Sequence, residues 1–239
     1  MNFRLFNLIL ISLSLITSTL IYFFLLPDFI KDGGYLIILL LSLSIILIGY
    51  IIERFISIKI LEGKGSSATL TAEFYFKLSE KKISEGKFIL DQHKSILSRV
   101  LNSGLKKFTK EKEKGSSTDR IYIEMSKSIS DTMISEQPAL EQNLSAMSTI
   151  ASISTMVGLL GTTVGMIRSF RALSQHGAPD AVQLSLGISE ALINTAGGLI
   201  VAILAIIFYN YFTSKIDKYS QYISDSSKQM MIHLLDEEA

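Results

Sequence analysis

The chain has 239 residues, 48% of them apolar, with 23 Lys and Arg against 22 Asp and Glu and a formal net charge of +1. That balance offers nothing to a nucleic acid, and the absence of Cys excludes disulfides, cysteine-based zinc sites and cysteine nucleophiles. The apolar residues fall in blocks, which argues against an ordinary globular chain and predicts an all-α, polytopic membrane protein.

Four transmembrane helices are expected: Leu5–Leu26, Tyr35–Ile52, Leu144–Ile167 and a fourth within Ala181–Tyr211. The first apolar run is longer than the core of a signal peptide, and no A-x-A-like site follows it, so it reads as an uncleaved anchor. Pro27 and the pair Gly33–Gly34 make Pro27–Gly34 a tight outer turn. An even number of spans puts both termini on one side. Arg4, Arg54, Lys59, Lys64, Lys215 and Lys218 flank that side. Lys31, Arg168 and Arg171 flank the other, offset by Asp28, Asp32 and Asp180. The bias predicts cytoplasmic termini.

The charged stretch after the second span is too polar to be embedded. It predicts long helices extending into the cytoplasm, the first over Leu70–Leu101, with Ser66 or Ser67 as N-cap and Gly104 as C-cap. Lys106–Ser117 reads as a solvated mixed-charge loop with lipid headgroups as an alternative contact. A helix capped by Thr118 or Asp119 follows, kinked near Pro138. The chain after Ser214 repeats an apolar spacing at Ile216, Tyr219, Ile223, Met230 and Leu234, which predicts an amphipathic helix. The organisation is therefore 1–58, an N-terminal transmembrane hairpin; 59–142, a cytoplasmic helical region; 143–214, a second transmembrane hairpin; and 215–239, a C-terminal helix.

Chemistry is sparse. His93, His176 and His233 stand singly, without a second ligand at metal spacing, and no metal or cofactor is expected. Gly158–Gly165 lacks the Lys-Ser/Thr ending of a phosphate loop, and no catalytic motif appears, so an enzyme is not expected. Glu190 is the exception. It is the one acid in Ala181–Ser214, a run of about 34 residues that outspans a bilayer core. A carboxylate near mid-span costs about 2.5–3.5 kcal/mol on insertion scales, so one retained there suggests a use, and the natural use is carrying a proton. No Lys, Arg or His lies within the membrane depth expected for this chain, so an ion pair within the chain is not expected. The structural alternatives are a hydrogen bond to Asn194 or Thr195, or a basic residue from another chain.

Small residues form stripes on both later spans. Gly187, Ala191, Thr195, Gly198, Ala202 and Ala205 share about 80° of arc, with Glu190 and Asn194 at its edge. Ala151, Ser154, Gly158, Thr162, Gly165 and Ser169 share a face of the third span, which also carries the Gly161–Gly165 pair. These stripes allow close helix packing and could be no more than that. Thr162 and Thr195 could either line a proton path or bond their own i−4 carbonyls.

The segments IASISTMVGLLGTTVGMIRSF (Ile150–Phe170) and LGISEALINTAGGLIVAILAIIFYNYF (Leu186–Phe212) resemble the ExbB/TolQ/MotA proton-channel family, its ExbB/TolQ branch in particular. The resemblance implies that Glu190 is the family's membrane glutamate, Thr162 the threonine of its Leu-Gly-Thr motif, and Thr195 the threonine five residues after the glutamate. It makes Ser154, Thr155 and Asn194 possible pore-lining residues. It also implies a homo-oligomer of five subunits in the bacterial inner membrane, surrounding a dimer of ExbD/TolR-like single-span proteins, with a TonB-like protein as a further partner. Such a motor couples the proton motive force to work at the outer membrane or envelope. Two departures stand out. Thr155 occupies a position where the family usually has proline, and the N-terminal span is one more than the usual three. The extra span resembles the MotA branch, but that branch is expected to have no glutamate at position 190. It is expected to pack on the lipid-facing side of the ring. The alternatives are a passive membrane scaffold, a MotA-type stator subunit and, with less support, a secondary transporter.

Overall fold

A computed structural model describes residues 3–63, 66–175 and 181–235. Lys64, His176 and Asp180 lie outside the described residues. Nine helices and no strand occur among the described residues, and four helical stretches are long and apolar enough to cross a membrane. The first is Asn7–Phe24, and the others lie within Leu36–Ser79, Thr118–Arg171 and Val182–Leu235. The chain divides into two compact units, Met1–Glu53 with Asn143–Phe212, and Arg54–Gln142 with Thr213–Ala239.

The first unit holds α1 (Phe3–Phe24), the short α2 (Asp28–Lys31), the start of α3 (Leu36–Glu62), α8 (Leu144–Gln175) and the start of α9 (Ala181–Leu235). Pro27 caps α2 without needing an N–H, and Gly34 takes φ 70°, a left-handed geometry suited to glycine, so the chain turns back into α3. The two helices of this first hairpin share a buried hydroxyl contact between Ser14 and Ser42 at 3.0 Å. Tyr22, Ile37, Leu40 and Val157 form the buried apolar cluster, with Ile30, Leu36 and Ile193 packed against it.

α8 and α9 meet along the small residues. A Cβ on Gly165 would stand 2.6 Å from the Gly187 carbonyl, and one on Gly198 would stand 2.5 Å from the Ser154 carbonyl. Gly158 lies against the backbone of Asn194 and Thr195. Their bulky residues, among them Leu159, Leu160, Ile200 and Ile203, are exposed. Contact is thus made backbone to backbone, the geometry glycine permits.

The second unit gathers α4 (Ser67–Ser79), α5 (Ile83–Gln92), α6 (Ile96–Glu113), α7 (Thr118–Leu140) and the ends of α3 and α9. Its core includes Phe74, Leu97, Leu101, Leu105, Phe108, Ile121, Met125, Ile223 and Met230. The expected single helix over 70–101 is instead three pieces. Lys81 adopts φ 61°, which ends α4, and Ser95 starts α6 with a capping box in which it and Ser98 exchange bonds of 3.1 Å. Ser66 caps α4 through Ala68 N. Gly104 does not terminate a helix; it lies inside α6, where Met230 and Ile129 close on it. Most of the expected Lys106–Ser117 loop is also helical to Glu113, because Leu105, Phe108 and Glu111 are buried while the lysines face outward. α7 pairs with α6 through Arg99–Glu136 and Lys107–Glu124. The tail docks by its tyrosines: Tyr222 bonds Thr71 at 2.7 Å, and Tyr219 donates to Leu61 O.

Arg54 is fully buried and donates to the carbonyl of Leu140, the last residue of α7. The cation thus satisfies one of the orphan carbonyls of a helix end and sits at the negative pole of its dipole. In the sequence it reads only as a charge flanking a span.

Candidate functional site

The α8–α9 seam runs antiparallel, pairing Ser154 with Gly198 and Gly165 with Gly187. This pairing sets Thr162 level with Glu190. Arg168 then lies about six residues, roughly 9 Å along the axis, further toward the α8–α9 connection. Its long side chain spans that offset. Arg168 Nη1 donates to Glu190 Oε1 at 2.5 Å, with the arginine side chain more than half exposed and the glutamate side chain only 12% exposed.

The expectation of a carboxylate without an internal ion pair is therefore corrected. Its error was one of depth. The outer turn, which carries Asp28, Lys31 and Asp32, lies level with Glu190 rather than far beyond it. Asn194 Nδ2 donates to Gly33 O at 2.7 Å, and a Cβ on Gly34 would stand 2.7 Å from Glu190 Oε1. Glu190 sits beside the turn that closes the first hairpin, where a half-exposed arginine side chain reaches it.

Asn194 is fully buried one helical turn from Glu190. Its Nδ2 also donates to the Glu190 carbonyl at 3.0 Å, and its Oδ1 has no partner among the described residues. Gly161 leaves the room that seats its side chain. Thr195 Oγ1 donates to Ala191 O, its own i−4 carbonyl, and across the seam to Gly158 O, both at 3.2 Å. Thr162 Oγ1 donates to Leu159 O at 2.6 Å and Thr155 Oγ1 to Ala151 O at 3.1 Å. Ser154 Oγ is buried without a hydrogen-bond partner among the described residues.

The structure thus brings Glu190, Asn194 and the glycine seam together and adds Arg168, Gly33 and Gly34, which the sequence reading did not assign to the site. The seam itself holds the signal for Arg168. Once small residues on α8 and α9 are paired antiparallel, an arginine within side-chain reach of the carboxylate follows. The contact of Gly33 and Gly34 is made by backbone and leaves no comparable mark.

Fold and site together define a helical membrane protein in which a seam of glycines carries an ion-paired carboxylate. The model of the MotA/TolQ/ExbB proton channel family matches residues 92–225, more than half of the chain, and the chain belongs to that family. It is similar to the Tol-Pal system protein TolQ of Pseudomonas aeruginosa, 33% identical over 122 residues, covering 51% of this chain and 53% of the relative. It is 37% identical over 86 residues to the biopolymer transport protein ExbB of Salmonella typhimurium, covering 36% of this chain and 35% of that one. The likeness to TolQ of Haemophilus influenzae, at 29% identity, extends over 77% of this chain and 81% of the relative. The chain thus spans about half or less of the first two relatives. The family is one of proton channels and not a known enzyme family.

Proposed function

We propose that the chain is the proton-channel subunit of an energy-transducing motor of the Tol-Pal or ExbB type in the bacterial inner membrane, with both termini cytoplasmic. Glu190 is its proton carrier, and Thr162 and Thr195 border the path. Five copies surround a dimer of ExbD/TolR-like single-span proteins, and a TonB-like protein takes up the work. The observation that carries this reading is Glu190 itself, a nearly buried carboxylate on a helix of a proton-channel family member. The residues over which the family matches include α8 and the start of α9, where the seam lies.

The Arg168–Glu190 contact favours a second reading, a scaffold whose carboxylate only locks the hairpin. Proton flux into vesicles that hold the chain and its single-span partner separates the two. Glu190→Gln abolishes flux at equal assembly if Glu190 carries the proton. Flux equal to wild type in that variant would leave Glu190 a packing residue.

A further inference from the structure

Glu190 Oε1 is hemmed in from two sides by different elements. Arg168 Nη1 reaches it from α8, and Gly34 of the outer turn lies so close that even a methyl group there would meet the same oxygen at 2.7 Å. That methyl position is also only 3.7 Å from Arg168 Nη1, so turn, cation and carboxylate share one small space. The turn is held there by the bond from Asn194 Nδ2 to Gly33 O. Tyr22 of α1 lies within electrostatic range of Glu190, and also of Tyr35 and Asp32. Arg168, by contrast, is held at its guanidinium end while 57% of its side chain is exposed, so it has room to leave.

A carboxylate in contact with a guanidinium presents its lone pair to that cation. A proton entering there displaces the contact, and the guanidinium, which stays charged, swings to solvent. We propose that Arg168 is a positioning residue for the proton step. It holds the Glu190 carboxylate against the Gly33–Gly34 turn in a closed state, and Glu190 takes up its proton only when that contact opens. The step balances simply: one proton adds to a carboxylate oxygen, and no other bond is made or broken. The turn of the N-terminal hairpin thereby becomes a wall of the site.

The inference rests on the reading of Glu190 as the proton carrier, and its test avoids flux. The full chain in lipid vesicles is treated at neutral pH with a hydrophobic carbodiimide, which reacts with the protonated, accessible carboxyl. Modification of the Glu190 peptide is then followed by mass spectrometry. Arg168→Gln is expected to be labelled about three- to tenfold faster than wild type, while Arg168→Lys, which keeps the charge, stays within about twofold of it. Labelling of Arg168→Gln at the wild-type rate overturns the proposal, as does Arg168→Lys labelling as fast as Arg168→Gln. If Arg168→Gln does not insert, Gly34→Ala keeps both charges and pushes the turn off Oε1. Faster labelling then supports the closed state, and an unchanged rate overturns it. Undiminished flux in Glu190→Gln would sink the carrier reading by itself, whatever the labelling rates.

Discussion

Replacing Gly198 by alanine tests the seam on which the site is built. The added Cβ would stand 2.5 Å from the Ser154 carbonyl, 2.9 Å from Gly158 Cα and 3.1 Å from Gly158 N. All three are backbone atoms, so no side chain can rotate away. Ordinary contact lies near 3.5 Å, so α8 and α9 must part by roughly 1 Å. Overpacking of this kind costs about 1–3 kcal/mol, since dispersion along the opened seam is lost with it. Gly158→Ala meets its nearest backbone atom at 3.2 Å and needs only a few tenths of an ångström, so its cost stays below about 1 kcal/mol. The neighbouring Gly197 is an internal control. A Cβ there meets only the flexible end of Leu40, at 3.3 Å, and gains up to about 1 kcal/mol of helix propensity. Unfolding titrations in mixed micelles should rank Gly198→Ala least stable, Gly158→Ala next and Gly197→Ala at or above wild type. Gly198→Ala no less stable than Gly197→Ala would refute backbone-to-backbone packing.

Beyond the loss of flux in Glu190→Gln and the faster carbodiimide labelling of Arg168→Gln, two predictions concern the second unit. Arg54→Ala should lower stability by about 2–3 kcal/mol in denaturant titration, because it removes a buried donor from the end of α7 and leaves the Leu140 carbonyl unsatisfied. Glu111 is buried at the α6–α7 turn beside Lys114, Ser116 and Arg120. Its bond from Lys114, aided by Ser116, holds its carboxyl below the usual range against the opposing effect of desolvation. A lowered folded value means stability that is fully present above the unfolded value, near pH 4.3, and lost as pH falls through the folded one. Thermal melts of wild type and Glu111→Gln should therefore differ above that pH and converge below it. A constant difference across the range would rule out the linkage.

The spans were legible because block hydrophobicity survives any tertiary context, and the small-residue stripes were legible because their period is the helix's own. Within the second unit the sequence misled where local chemistry beat periodicity. Leu90, Leu97 and Leu101 keep a helical stripe across the second break, and Lys81 and the Ser95–Ser98 box interrupt the backbone beneath the expected helix. Lys106–Glu113 looks like a solvated loop because the lysines outnumber Phe108 on the page, although Phe108 decides the fold by being buried. At the site, Glu190 and Asn194 could be read from type and position. Arg168 could not be read while Glu190 was placed at mid-span, since only the seam register reveals the offset that an arginine side chain can bridge.

The outer turn touches the carboxylate's neighbourhood through a carbonyl and a bare Cα, those of Gly33 and Gly34. A chain that carries the same N-terminal hairpin could therefore rebuild this wall with almost any letters, provided one residue lacks a side chain where the loop passes Glu190. Alignments of such loops would look random even if every one of them closed over a carboxylate in the same way. The trait would be inherited as a shape, and comparing structures rather than sequences would be the way to trace it.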